Sequence, residues 1–252
     1  MSRISLSGLT FVVAFLAAST SYAQPAECRG LPDYATLKKA LDAATAEEKS
    51  GLNNQMWGTI VGRDGTVCAV AFSGKDRGAQ WLGSRVISAQ KANTANSFSL
   101  PGLALSTANL YTAVQPGGSL FGLQESNPVD TSVAYGGNPA NSGQANDPMV
   151  GGRIGGVNVF GGGLALYNAS GKIVGGLGVS GDTSCADHDI AWRIRNKLGL
   201  DHLGGVGGVS GDDKHPDNII FDIGANGQSA KGFGHPKCIS TADEKALPPV
   251  QP

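Results

Sequence analysis

Two short motifs near the C-terminus carry the residue types most suited to chemistry, Cys185-x-x-His188 and its mirror image His235-x-x-Cys238. Two thiolates and two imidazoles are a ligand set for tetrahedral zinc. In an oxidising compartment the same cysteines would form a disulfide instead. The four cysteines, Cys28, Cys68, Cys185 and Cys238, are an even set that allows three connectivities. The preferred pairing is Cys28–Cys68 with Cys185–Cys238, which would tie down the N-terminus and fasten the C-terminal tail to a helix. The second bridge would hold His188 and His235 each three residues from a sulfur, placed to face one ligand. The plainer reading is that His188 fills the first turn of a helix and His235 bonds within a tail turn. His202 and His215 lie in a Gly-rich region with less to recommend them.

Gly176, Gly178 and Gly181 match G-x-G-x-x-G between a strand and a helix. A dinucleotide site also needs a parallel crossover and an acidic residue on the next strand. Here the glycines end a hairpin strand, so the match reads as a decoy. What remains is a helix start at Ser180, Gly181, Asp182, Thr183 and Ser184, whose free N–H groups could receive a carboxylate. Gly178-Val-Ser180-Gly-Asp182 and its echo Gly208-Val-Ser210-Gly-Asp212 lack the second spaced glycine of a nucleophile elbow. Asp182, Asp187 and Asp189 are read as complements to the helix dipole rather than as general bases. No catalytic residue is assigned.

The elements that must position these residues follow from periodicity. A helix is expected over Tyr34–Ala46, starting at Pro32 or Asp33, with Leu37, Ala40, Leu41 and Ala44 on one face. Trp57–Gly62 and Thr66–Phe72 read as a hairpin around Asp64-Gly65. Ser84–Phe98 is helical, with Ser84 as its cap and Ser88, Ala92 and Ala95 forming a small-residue face suited to lying close on a sheet. Residues 102–156 are rich in turns, with a short helix near Ser106–Val114; Leu105, Leu110, Tyr111, Leu120, Phe121, Leu123 and Tyr135 are its expected anchors. A second hairpin spans Val157–Val179. The last helix, Cys185–Leu198, buries Ile190, Ile194 and Leu198 and turns Arg193, Arg195 and Lys197 to solvent. This order gives an α+β fold, an antiparallel sheet with helices packed on it.

Residues 1–23 have the parts of a cleaved signal: Arg3, an apolar run from Leu9 to Ala18, and Ser21-Tyr22-Ala23 as the cleavage site. The run is shorter than the roughly 20 apolar residues that span a bilayer. Cleavage near Ala23 and a periplasmic or extracellular location are expected, with no transmembrane anchor. Residues 24–252 then form one domain, with a long Gly/Asn-rich insertion at 102–156 and a cysteine-bearing tail. A net charge of −1 and 15% charged residues leave no basic footprint for nucleic acid or a membrane surface. The 38 glycines follow no fixed period, which excludes collagen-like and repeat architectures.

Three segments resemble the GlcG/HbpS-type haem-binding family. They are Arg63-Asp64-Gly65, the helix Ser84-Arg-Val-Ile-Ser-Ala-Gln-Lys91-Ala-Asn-Thr94-Ala-Asn-Ser-Phe98, and the stretch from Gly161-Gly-Gly through Gly178-Val-Ser180-Gly181 to Asp187. The likeness covers roughly residues 34–200 apart from the insertion. It implies a profilin- or PAS-like sheet in α-β-α layering, frequent homo-oligomerisation, and haem in some members. Lys91, Thr94 and Asp187 match motif positions, with no catalytic or iron-ligand role carried over.

The leading expectation is a secreted haem-binding protein, concerned with haem or iron handling, oxidative stress or sensing. Its apolar pocket would lie between the sheet, the Ser84–Phe98 helix and the long insertion. His188 or His235 would meet the iron, and Lys91, Thr94, Ser180 and Gly181 would complete the cofactor contacts. The alternatives are an enzyme or binding protein for a small organic acid, using the Gly178–Asp182 turn with Lys91, and an oligomeric structural or sensor-partner module.

Overall fold

The computed structural model describes residues 24–240 and 246–252; the expected signal segment lies outside them. Helix α1 (Tyr34–Glu47) starts where Asp33 accepts a hydrogen bond from the Thr36 N–H at 2.9 Å. Its Leu37, Ala40, Leu41 and Ala44 are buried at helical spacing. Strands β1 (Trp57–Gly62) and β2 (Val67–Phe72) form the first hairpin. Helix α2 (Ser84–Phe98) has Gly83, not Ser84, at its cap; Ser84 is already helical and buried. Next come α3 (Thr131–Tyr135), β3 (Gly163–Tyr167), β4 (Ile173–Ser180) and α4 (Ser184–Lys197). Thr183 caps α4, its hydroxyl accepting from the Ala186 N–H.

The sheet runs β2-β1-β4-β3 and is antiparallel throughout. Trp57 lies opposite Ser180, and Gly163 opposite Gly178. Side-chain alternation gives each face its own helix layer. Ile60, Leu177 and Val179 pack with Leu37 and Leu41 of α1 and Ile190 and Ile194 of α4. Val61 and Val70 pack with Val86, Ala89 and Ala92 of α2. The result is the expected α+β layering of helices on both faces of one antiparallel sheet.

The glycine motif is part of this packing. A Cβ on Gly178 would stand 1.9 Å from the Ser88 carbonyl oxygen of α2, and one on Gly176 would stand 2.2 Å from that of Ala92. The glycines of β4 and the small residues of α2 therefore bring helix backbone against strand backbone.

The insertion has the turn-like character expected of it, including short 3₁₀ segments at Thr107–Leu110 and Thr112–Val114. Its anchoring is only partly as expected. Leu105 and Leu110 are buried, whereas Phe121 and Tyr135 are exposed; Met149, Ile154 and Ala134 join the α2-side core instead. Asp147 accepts from Arg85 of α2 through both carboxylate oxygens, one bond being Nε–Oδ2 at 2.9 Å.

Arg195 corrects the expected solvent face of α4. It is 0% exposed and forms a two-pronged ion pair with Asp217 of the tail, at 2.6 and 2.9 Å. A buried guanidinium requires such a partner, and a tail acid 22 residues on leaves no helical signature. Both preferred disulfides are present: Cys28–Cys68 ties the N-terminal segment to β2, and Cys185–Cys238 ties the tail to α4. Among the described residues no helix is long and apolar enough to cross a membrane.

Candidate functional site

At the start of α4 the layers are joined by buried polar groups. Lys91 of α2 reaches past the beginning of β3 and donates to Asp187 Oδ2 at 2.6 Å and to the Val179 carbonyl at 3.1 Å. The other Asp187 oxygen accepts from the Asp182 N–H at 3.0 Å. Lys91 is 1% and Asp187 2% exposed. Gly162, at φ +113°, leaves the passage open: its Cβ would lie 3.1 Å from Lys91 Nζ. Burial pushes the Asp187 carboxyl up to about 6, against the pull of the Lys91 ammonium.

The Gly178–Asp182 turn, expected to receive an anion, holds the protein's own Asp187 carboxylate. Asp182 accepts from the Leu52, Asn54 and Thr183 N–H groups and so shapes the loop after α1. Gly181 presents its carbonyl to Asn54 Nδ2. Ser180 lies in the β1–β4 ladder opposite Trp57. Thr94 donates to the Gln90 carbonyl and accepts from the Asn158 N–H at 2.9 Å, fastening the end of the insertion to α2.

The Cys185–Cys238 bridge brings both histidines to this end of α4, each with its own set of bonds. His188 is 0% exposed; its Nε2 lies 2.9 Å from Asn218 Oδ1, and its Nδ1 has no hydrogen-bond partner. His235 Nδ1 faces the Pro236 carbonyl at 2.7 Å, which sets it as the protonated nitrogen and leaves the Nε2 lone pair facing Ser184 Oγ at 3.3 Å. The Tyr111 ring lies 5.1 Å from that imidazole. Burial pushes both histidines down to about 4, so both rings are neutral at pH 7. The weaker candidates are bonded too: His202 Nδ1 to the Pro252 carbonyl, and His215 to Asp212 and the Leu247 carbonyl.

A groove of about 270 Å³ opens where the apolar pocket is expected, between sheet, α2 and insertion. Trp57, Leu82, Val86, Tyr135 and Pro139 supply apolar wall, and Arg77 supplies positive charge, that of Arg85 being neutralised by Asp147. The Trp57 indole N–H is buried without a hydrogen-bond partner. Neither His188 nor His235 lines it. Of the groove residues only Arg85 and Val86 fall in a family-like segment, and only the alternation of β1 could have placed Trp57 on the α2 side. A second cavity of about 280 Å³, beside α1, is lined by Asp42, Glu48 and Asp182 and is ill suited to an anion.

A family model described as haem degrading protein HbpS-like matches residues 33–195. No curated protein matches significantly. Among solved structures, the PduOC:heme complex is 26% identical, covering 65% of this chain and 89% of its own, with a TM-score of 0.43. The Klebsiella pneumoniae protein ORFY, of family DUF336, is 21% identical, with coverages of 73% and 97% and a TM-score of 0.45. HbpS is 18% identical, with coverages of 75% and 99% and a TM-score of 0.43.

Proposed function

The chain belongs to the HbpS-like family, and from that premise we propose an exported haem-binding protein, serving haem or iron handling or its sensing outside the cytoplasm. The family match carries this reading, and the two disulfides suit an oxidising compartment.

The groove over Trp57 is the proposed seat. Ligand pockets usually enclose about 300–1,000 Å³, so this groove would take one edge of the macrocycle and leave the rest against the exposed Leu82 and Tyr135. Arg77, on the groove wall, suits a propionate. Tyr135 brings a phenol oxygen to the groove wall, and a tyrosine can hold haem iron. His188 and His235 are the alternative donors, and each would first have to leave its buried bonds. Haem would supply the redox-active iron; Trp57, Leu82 and Val86 would exclude water from the bound edge.

Haemin titration of the purified chain tests this. The expected result is a shifted Soret band with quenched tryptophan fluorescence, weakened at least tenfold by Leu82→Glu and spectrally altered by Tyr135→Phe. No shift in the parent protein would overturn haem binding. A shift lost only in His188→Ala would move the iron to α4, and one lost only in His235→Ala would move it to the tail beside α4. Light scattering during the titration checks the expected self-association.

A further inference from the structure

We propose that reducing the Cys185–Cys238 disulfide creates a binding site for a soft divalent cation, with Cys185, Cys238 and His235 as its ligands. The inference does not rest on haem binding. Cys185 Sγ, Cys238 Sγ and an imidazole nitrogen of His235 all lie within 4.8 Å of one another, the only such trio of His, Cys or acidic groups among the described residues. Tetrahedral zinc, with bonds of about 2.3 Å to sulfur and about 2.0 Å to nitrogen, sets its ligand atoms roughly 3.5–3.8 Å apart. Opening the S–S bond and drawing in the ring produces that spacing with small movements.

The nitrogen is already prepared. Nδ1–H of His235 is held by the Pro236 carbonyl at 2.7 Å, so the lone pair is on Nε2, and a backbone carbonyl is a common outer partner for a metal-bound histidine. The thiolates have support as well. The Cys185 N–H, in the first turn of the 14-residue α4, donates to Cys238 Sγ at 3.2 Å, and that position favours negative sulfur. Ser184 Oγ stands 3.3 Å from His235 Nε2 and 3.5 Å from Cys238 Sγ, placed to bond a water in the fourth position.

The chemistry balances with a dithiol as reductant. One of its thiolates attacks the sulfur of Cys238, the less buried cysteine, and Cys185 leaves as thiolate. The second reductant thiol then releases Cys238, and the reductant ends as a cyclic disulfide having lost two electrons. Cation binding displaces the remaining thiol protons to water. The Cys28–Cys68 bridge has no third ligand beside it among the described residues, so it serves as an internal control.

The test is Co²⁺ titration of the haem-free chain, oxidised and dithiol-reduced, after removal of the reductant under anaerobic conditions. The expected result is sulfur-to-cobalt charge transfer and tetrahedral d–d bands in the reduced protein only, at one ion per chain and displaced by Zn²⁺. His235→Ala should weaken binding at least tenfold and change the d–d bands, while Cys28→Ala/Cys68→Ala should leave both intact. Equal binding by oxidised and reduced protein would overturn the proposal. So would undiminished binding in both Cys238→Ser and His235→Ala. If the reduced chain loses its native circular dichroism and the ion does not restore it, no folded site exists and the proposal fails.

Discussion

Lys91 of α2 and Asp187 of α4 meet at 2.6 Å across the end of the sheet, although their helices pack on opposite faces of it. Removing one partner of such a buried pair strands the other charge, at a cost of about 3–5 kcal/mol. Lys91→Met and Asp187→Leu should each lower urea-denaturation stability by that order. The double variant should recover part of the loss, since two apolar side chains leave no buried charge. Strict additivity of the two losses would show that the pair is not coupled.

Acidification should weaken the fold, because His188 and His235 are held neutral. Burial brings both from an ordinary 6.5 to about 4, so between those values the unfolded chain binds the extra protons. Their contribution is complete above about pH 6.5 and is lost as pH falls towards 4, on the order of 2–3 kcal/mol for each ring. Asp187 acts oppositely. Raised from 3.8 to about 6, it makes the folded state bind the proton, so its contribution is lost as pH rises through that window. With two rings against one carboxyl, the urea midpoint should fall between pH 7 and pH 5. His188→Gln/His235→Gln should flatten or reverse that slope.

Gly178→Ala should be severely destabilising. Its Cβ would lie 1.9 Å from the Ser88 oxygen and 2.5 Å from the Ala92 nitrogen, both backbone atoms that no rotamer change can move. The helix would have to lift from the strand, and overpacking of this kind costs about 3 kcal/mol or more. Gly171→Ala is a useful contrast, because no atom lies within 4 Å of its added methyl and only the φ +67° turn is strained. Thermal melts should show a much larger drop for position 178.

Replacing Cys185 and Cys238 together by serine should lower stability by about 4 kcal/mol, the chain-entropy value for a loop of this length, here a separation of 53 residues. The tail keeps other fastenings, namely the Arg195–Asp217 pair and the Trp192 Nε1 bond to the Pro248 carbonyl at 2.8 Å. The variant should therefore stay folded with a lower melting temperature. Complete unfolding at room temperature would mean that the bridge alone retains the tail.

Local patterns were enough to locate α1, α2, α4 and the paired strands, but they gave no sign of α3 and began the second hairpin at Val157, where the chain is not a strand. Leu37, Ala40, Leu41 and Ala44 mark one face of α1 because burial follows a helical period, and the small face of α2 announced close packing. The alternation along β4 is equally legible once Gly176 and Gly178 are seen as packing residues and not as a phosphate cradle. Cysteine number and the preference for tying chain ends to regular elements pointed to the two bridges that form.

Long-range placement was not contained in those patterns. Nothing near Arg195 signals that Asp217 will make it a buried residue, and nothing near Lys91 signals Asp187, 96 residues away. The Gly178–Asp182 turn looks open to an anion until the fold delivers a carboxylate of its own. Trp57, Arg77 and Tyr135 become one groove only when β1, the approach to α2 and the insertion are packed together. Periodicity is a property of neighbours along the chain, so it set which residues share a face. Which charges meet, and which donors are left over to meet a ligand, depended on surfaces brought together from distant segments.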